Sequence, residues 1–166
     1  MGVQGLDGTR IIVSSAVVSY CTEEVWRQGH DIDVPEGIQR VAWMLNGWMY
    51  AIEQCARMPG IADVVILGQR VEWVKNTRGI RTCEVTVGGR VCPAYHTVPS
   101  LLAEWQRWLT TGVREPLDAY RRLLEIHPFV DGNGRTGKII LNWLNGTLLA
   151  PIFPPSDFWG HEIRNP

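Results

Sequence analysis

The chain has 166 residues, of which 45% are hydrophobic and 20% charged, with a formal net charge of −1. That length suffices for one domain with a buried core, in a composition ordinary for a globular protein. The near-neutral balance gives no global electrostatic drive toward nucleic acid or an anionic membrane surface, and no apolar run approaches the ~18 residues that a membrane helix requires.

In chain order, the first ten residues carry three glycines and are expected to pack loosely. They lack a basic segment followed by an apolar one, so no secretory signal is expected, and Leu6 stands where a myristoylation signal needs Ser or Thr. A first helix is predicted over 14–28, closed by Gly29, followed by a polar connector over 30–35. Val41, Met44, Leu45, Trp48 and Ile52 fall on one face of a second helix over 36–58, which Pro59-Gly60 ends. Ile61, Val64, Leu67, Val71 and Val74 repeat at three- and four-residue steps and predict a third. After Asn76 the pattern turns β-rich over 81–87, with Gly88-Gly89 as a hairpin turn and a returning strand over 91–95 that Pro93 weakens. Helical spacing resumes at Leu101, Leu102, Trp105, Trp108 and Leu109, and again at Leu117, Tyr120 and Leu124. Residues 135–149 are apolar on most sides and predict a central, buried helix, stopped by Pro151, Pro154 and Pro155. The sum is one all-α domain over 1–166 with one β-hairpin.

Eight Trp are read as core anchors rather than a cofactor box. Cys21, Cys55, Cys83 and Cys92 show no metal-ligand spacing, so no zinc site is expected, and a cytoplasmic location with reduced thiols is the default. The basic residues are fourteen Arg against two Lys, Lys75 and Lys138.

Chemistry concentrates in His127-Pro128-Phe129-Val130-Asp131-Gly132-Asn133-Gly134-Arg135-Thr136-Gly137-Lys138. Two glycines flanking Asn133 allow a tight turn and close backbone approach to a ligand. The turn feeds a helix whose first amides lack partners and suit an anion. Arg135 and Lys138 place two cations where they oppose the helix dipole, an arrangement that a polyphosphate between them would justify. Asp131 is a hard oxygen ligand of the kind Mg²⁺ on phosphates uses, and His127 suits general-base work. Each residue alone has a bland explanation as a cap or a turn; twelve consecutive positions do not. A rival match, G-x-x-x-x-G-K over 132–138, fails as a P-loop. Ile139 replaces the required Ser or Thr, and a charged amphipathic helix precedes it instead of a strand. Arg78, Arg81 and Arg90 around the hairpin make only a weak case for nucleic acid.

The segment resembles the signature of Fic-domain (Fic/Doc, Fido) proteins, H-P-F-x-[D/E]-G-N-G-R-x-x-R, matched at every specified position except the last, which is Lys138. Residues 78–89 are similar to the family's flap and Pro99-Ser100-Leu101-Leu102 to the helix start after it, so the likeness is strongest over 78–155 and suits a minimal, phage- or toxin-type member. The resemblance implies a compact helical domain with a hairpin flap, acting as a protein adenylyltransferase. His127 would deprotonate a Ser, Thr or Tyr hydroxyl of a target protein, which attacks the α-phosphate of ATP. Gly132, Asn133 and Gly134 would cradle the phosphates, Asp131 hold Mg²⁺, and Arg135 and Lys138 contact phosphate. Flap residues Thr82, Cys83, Glu84, Val85, Thr86 and Val87 would pin the target by strand addition. Lys in place of Arg keeps the charge and loses the planar fork. It leaves open another donor (UMP, GMP or phosphocholine transfer), phosphotransfer, which Gly134 opposes, or a catalytically silent binding module. Ser19-Tyr20-Cys21-Thr22-Glu23 resembles the family's inhibitory [S/T]-x-x-x-E-[G/N] helix except that Glu24 follows. Regulation is left to Glu23, to a separate antitoxin, or to neither, and location to a bacterial or host cytoplasm.

Overall fold

A computed structural model of the chain describes residues 2–4 and 10–155. Six helices carry the fold: α1 (Ser15–Arg27), α2 (Pro35–Gln54), α3 (Ile61–Val71), α4 (Val98–Thr110), α5 (Pro116–Ile126) and α6 (Asn133–Leu144). Strand β1 (Gly2–Gln4) pairs antiparallel with β2 (Arg10–Ile12), placing Val3 opposite Ile11. Of the first ten residues, expected to pack loosely, 2–4 and 10 lie in this ladder, and 1 and 5–9 lie outside the described residues. The flap ladder joins β3 (Thr86–Val87) to β4 (Arg90–Val91). The chain is therefore all-α with small hairpins.

Helix α6 is the axle. Ten of its residues are buried, from Asn133 to Trp143, and it packs against α2, α3 and α5. Helix α1 lies against α2 and contributes Val17, Tyr20, Cys21 and Val25 to the common core. Three indoles act as staples as well as fillers. Trp48 donates to the Leu148 carbonyl at 2.8 Å, Trp105 to Ala119 at 3.0 Å, and Trp143 to Arg57 at 2.9 Å. A buried indole needs such a partner. Trp26 and Trp73 are exposed and depart from the core-anchor expectation.

Several boundaries fall short of the periodicity, each for a local reason. Helix α3 stops at Val71 rather than near Val74, because Glu72 leaves helical geometry and turns its carboxylate to Arg40 and Arg135. Helix α6 stops at Leu144 rather than Leu149. Gly146 takes φ +69°, its amide donates to the Trp143 carbonyl, and the Thr147 amide donates to Asn142 at 2.9 Å. Those two bonds are a Schellman ending, which satisfies the last carbonyls.

The flap ladder is two residues per strand, not the seven and five read from β propensity. The backbone groups that would extend it point elsewhere: the Arg81 amide donates to Pro128, and the Cys83 and Pro93 carbonyls accept from the Arg81 guanidinium. Of the expected flap positions, Thr86 and Val87 lie in the ladder, while Thr82, Cys83, Glu84 and Val85 form its irregular stem. Gly88 and Gly89, with φ +56° and +80°, make the tight turn between the strands.

The glycine turn as a candidate active site

His127 closes α5 in the left-handed region, at φ +51° and ψ +62°, and is the one non-glycine residue with positive φ among those described. Such a conformation costs about 1–3 kcal/mol and persists only where the surroundings impose it. Here the His127 amide is held by the Leu123 carbonyl, and its own carbonyl accepts from Arg81 Nε at 2.7 Å. The Leu124 backbone lies close enough to the ring to favour its protonated form. Burial pushes the imidazole below its ordinary pKa and Arg81 pushes the same way, while the Leu124 backbone and Asp131 oppose them.

Phe129 and Asn133 set the turn. The Phe129 amide donates to Asn133 Oδ1 and Asn133 Nδ2 donates to the Phe129 carbonyl, both at 2.9 Å, so that side chain is a closed clamp on the backbone. The Phe129 ring, fully buried, lies flat on Gly68, where an added Cβ would stand 2.2 Å from it. Gly132 caps α6 at φ +77°, and a Cβ there would press on Val71 and Glu72 at 3.0 and 3.2 Å. No side chain caps the α6 N-terminus.

Asp131 is the hub of the charges. Oδ1 accepts from the Gly132 amide at 2.6 Å and lies 3.4 Å from Arg135, while Oδ2 accepts from Lys75 at 2.5 Å with Arg40 3.9 Å away. Burial would raise its pKa, yet the Lys75 bond, Arg135 and the Gly132 amide together bring it below the usual carboxylate value. Asn76 Nδ2 holds the Asp131 carbonyl at 2.8 Å and that of Gly68 at 2.9 Å, fixing the turn to α3. His30, half-buried near the same cluster, is driven below its ordinary pKa by burial, Arg40 and Arg135 against Asp131 and Glu72. A groove of about 340 Å³ runs beside this cluster, lined by Arg40, Lys75, Trp43 and Val74 among others.

The two downstream cations are turned inward. Arg135, 0% exposed, donates to the Val71 carbonyl at 2.7 Å and pairs with Glu72, 1% exposed, at 3.1 Å. The fork expected to face phosphate is thus engaged by the C-terminal end of α3, and its Nε is buried without a partner. Lys138 Nζ lies 2.9 Å from Glu24 Oε1, with side chains 7% and 1% exposed. The sequence offered Glu23 as the glutamate for that place. Glu23 instead pairs with Arg27 on the surface, and Glu24, one residue on, faces the core. Gln28 donates to Glu24 at 2.6 Å, and its amide nitrogen lies 3.3 Å from where a Cβ on Gly134 would be. The C-terminal end of α1 therefore lies against the start of α6.

Sequence reasoning placed His127, Asp131, Gly132, Asn133 and Gly134 on one turn, and the structure keeps them together. It missed Lys75, Asn76, Arg40, Glu72 and Gln28. Lys75 carried a signal, as one of two lysines in a chain that otherwise uses Arg. Both lysines are found at this site. Among the described residues no group of three or more His, Cys, Asp or Glu side chains is placed to hold a metal alone, and no helix is long and apolar enough to cross a membrane.

A sequence profile described as the Fic/DOC family matches residues 61–145. Curated proteins described as "Protein adenylyltransferase Fic" from Drosophila sechellia and Drosophila melanogaster are 35% identical over 82 residues, and that from Drosophila erecta is 34% identical over the same length. Each match covers 45% of this chain and 16% of the relative, so the likeness spans a small part of those longer proteins.

Proposed function

Because this chain belongs to the Fic/DOC family, we propose that it is a protein adenylyltransferase, moving AMP from Mg·ATP to a Ser, Thr or Tyr hydroxyl of a target protein. The observation that carries the proposal is the juxtaposition of the left-handed His127 cap with the uncapped, glycine-lined start of α6. In this reading a ring nitrogen of His127 takes the proton of the target hydroxyl. The oxygen attacks the α-phosphorus in line, a new P–O bond forms, and the bond to pyrophosphate breaks. The amides at the start of α6 stabilise the added negative charge. Asn133 holds the turn's shape through its Phe129 clamp and acts by positioning.

Magnesium fits the donor set as a partner of bound phosphates rather than as a resident ion. Mg²⁺ keeps several waters and takes about one or two carboxylates from protein. Asp131, 29% exposed and held by an exposed lysine that can swing aside, supplies one. When bound, the ion would neutralise charge on the leaving group. Arg135 orients Asp131 from the buried side.

A second reading, of regulation, is favoured by the Lys138–Glu24 pair. With its ammonium engaged by Glu24 and Gln28 over Gly134, the phosphate end of the site is covered by α1, a self-inhibited state. A cytoplasmic location is part of the proposal, and a separate antitoxin is the alternative to this self-inhibition. Incubating the chain with α-labelled Mg·ATP and a bacterial lysate tests the activity: label should transfer with the parent protein and not with His127→Ala. Running Lys138→Arg beside the parent with ATP, UTP, GTP and CDP-choline tests donor choice. Identical behaviour of both proteins with every donor would remove position 138 from it.

A further inference from the structure

Arg81 sits in the segment between α3 and the flap, with its side chain 0% exposed. A buried guanidinium needs compensation. The nearest carboxylate oxygen, on exposed Glu84, is 3.9 Å away. What holds Arg81 is a set of backbone carbonyls from three places. Nε donates to His127 at 2.7 Å, one terminal nitrogen to Cys83 at 3.0 Å, and the other to Pro93 at 2.5 Å. Its own amide donates to Pro128 at 2.9 Å. Cys83 lies on the outgoing stem of the flap and Pro93 on the returning stem, and His127-Pro128 is the start of the glycine turn. Only a guanidinium presents a rigid, planar fork able to meet carbonyls arriving from these separate directions.

The flap needs such an anchor. Two residue pairs and a single further bond, from the Cys92 amide to Val85 at 3.1 Å, make a ladder that cannot hold its own position, since isolated hairpins are marginal in water. The reacting oxygen must come within about 3–3.5 Å of its target atom, and an error near 1 Å can cost about 10²-fold. The part that would carry the acceptor therefore has to share a reference point with the part that carries the base.

We infer that Arg81 is a positioning residue for the transfer proposed above, one that fixes both stems of the flap to the backbone of His127 so that acceptor and base are held in register. The inference rests on that reading of the activity. The same side chain has an electrostatic consequence that a purely structural strut lacks: it is a cation one carbonyl away from the imidazole, and it favours the uncharged base. Among charged groups, Asp131 acts on that ring in the opposite sense.

The experiment compares the parent with Arg81→Lys, Arg81→Gln and, as a surface control, Arg78→Gln. Histidine ring signals are titrated by NMR, with His127 identified by its loss in His127→Asn, and exchange of the Cys92 amide is followed in the same samples. Self-modification with α-labelled Mg·ATP gives kcat and KM for the nucleotide. In Arg81→Gln the His127 ring should titrate at higher pH than in the parent, whereas Arg81→Lys, which keeps the charge, should stay close to it. Both variants should speed Cys92 exchange and lower kcat by about 10²-fold with little change in KM for Mg·ATP, the donor being untouched by Arg81. Arg78→Gln should match the parent throughout. An unchanged His127 titration together with unchanged Cys92 exchange in both variants would overturn the inference, as would kcat and KM equal to the parent's. If Arg81→Gln does not fold, the Lys variant still carries the exchange and kcat arms. A parent protein that transfers no AMP would defeat the proposed function instead, and the titration and exchange would still decide what Arg81 does.

Discussion

The glycine turn and the flap tip are built in opposite ways. Over 127–138 the turn is pinned by side-chain bonds: Asn133 clamps Phe129, Asn76 holds the Asp131 carbonyl, and Glu72 and Val71 engage Arg135. Over 86–91 two residue pairs stand in solvent, with Val87 and Val91 exposed. A site that stabilises charge gains from donors that need no reorganisation. A surface that accepts a protein segment gains from open ladder edges and adaptable side chains. Substitutions in the turn should therefore cost both stability and activity, unless the residue is the base itself, and substitutions at the flap tip should cost target recognition alone.

The largest effect is expected at the residue that separates chemistry from architecture. His127→Ala should lower transfer by about 10²–10⁴-fold, the usual range for a general base, while the left-handed backbone stays as strained, since alanine keeps the Cβ. Its thermal midpoint should stay close to the parent's; a midpoint well below it would show that the ring is structural. Glu24→Gln removes the charge that pairs with the Lys138 ammonium and should lower the midpoint of urea unfolding. The same variant should raise self-modification several-fold, and an unchanged rate would remove α1 from regulation. Asn133→Ala strands a buried amide and carbonyl on Phe129 and should cost about 2–4 kcal/mol. A loss of activity without a loss of stability there would mean that Asn133 touches substrate rather than clamping the turn.

Smaller effects probe the same contrast. The imidazole acts as a base only when uncharged, and burial, seconded by Arg81, lowers its pKa from the ordinary value. The rate should then stay level through neutral pH and fall only in acid below about 6.5, the unperturbed value. A rate that rises from pH 7 to 8 would contradict that direction. At the flap tip, Val87→Ser should change stability by less than about 0.5 kcal/mol, as exposed positions do. A large loss there would show that the flap is packed, not poised.

What was legible in the sequence was what lies close along the chain. The turn was readable because its glycines, its acid and its base are consecutive, and the helices were readable from spacing. Long-range capture was not. Nothing local announces that Arg81 will draw in the carbonyls on both sides of the hairpin and so shorten it, or that Glu72 will end α3 by pairing with Arg40 and Arg135. Glu24 could have been found. Val17, Tyr20, Cys21, Glu24 and Val25 follow the spacing of a buried helical stripe, and a carboxylate inside such a stripe needs a cation. Glu23, about 100° around the helix, has no such need. The end of α6 was missed because Asn145-Gly146 was read as helix interior, although glycine at that place is the usual helix stop.

Intact-mass spectrometry of the protein after incubation with Mg·ATP, in the parent, Glu24→Gln and His127→Ala forms, bears most directly on the chemistry of the turn. A gain of about 329 Da in the parent, larger in Glu24→Gln and missing from His127→Ala, is the expected pattern for AMP transfer. A gain of about 80 Da, the signature of phosphate, or a gain that persists without the imidazole, would contradict it.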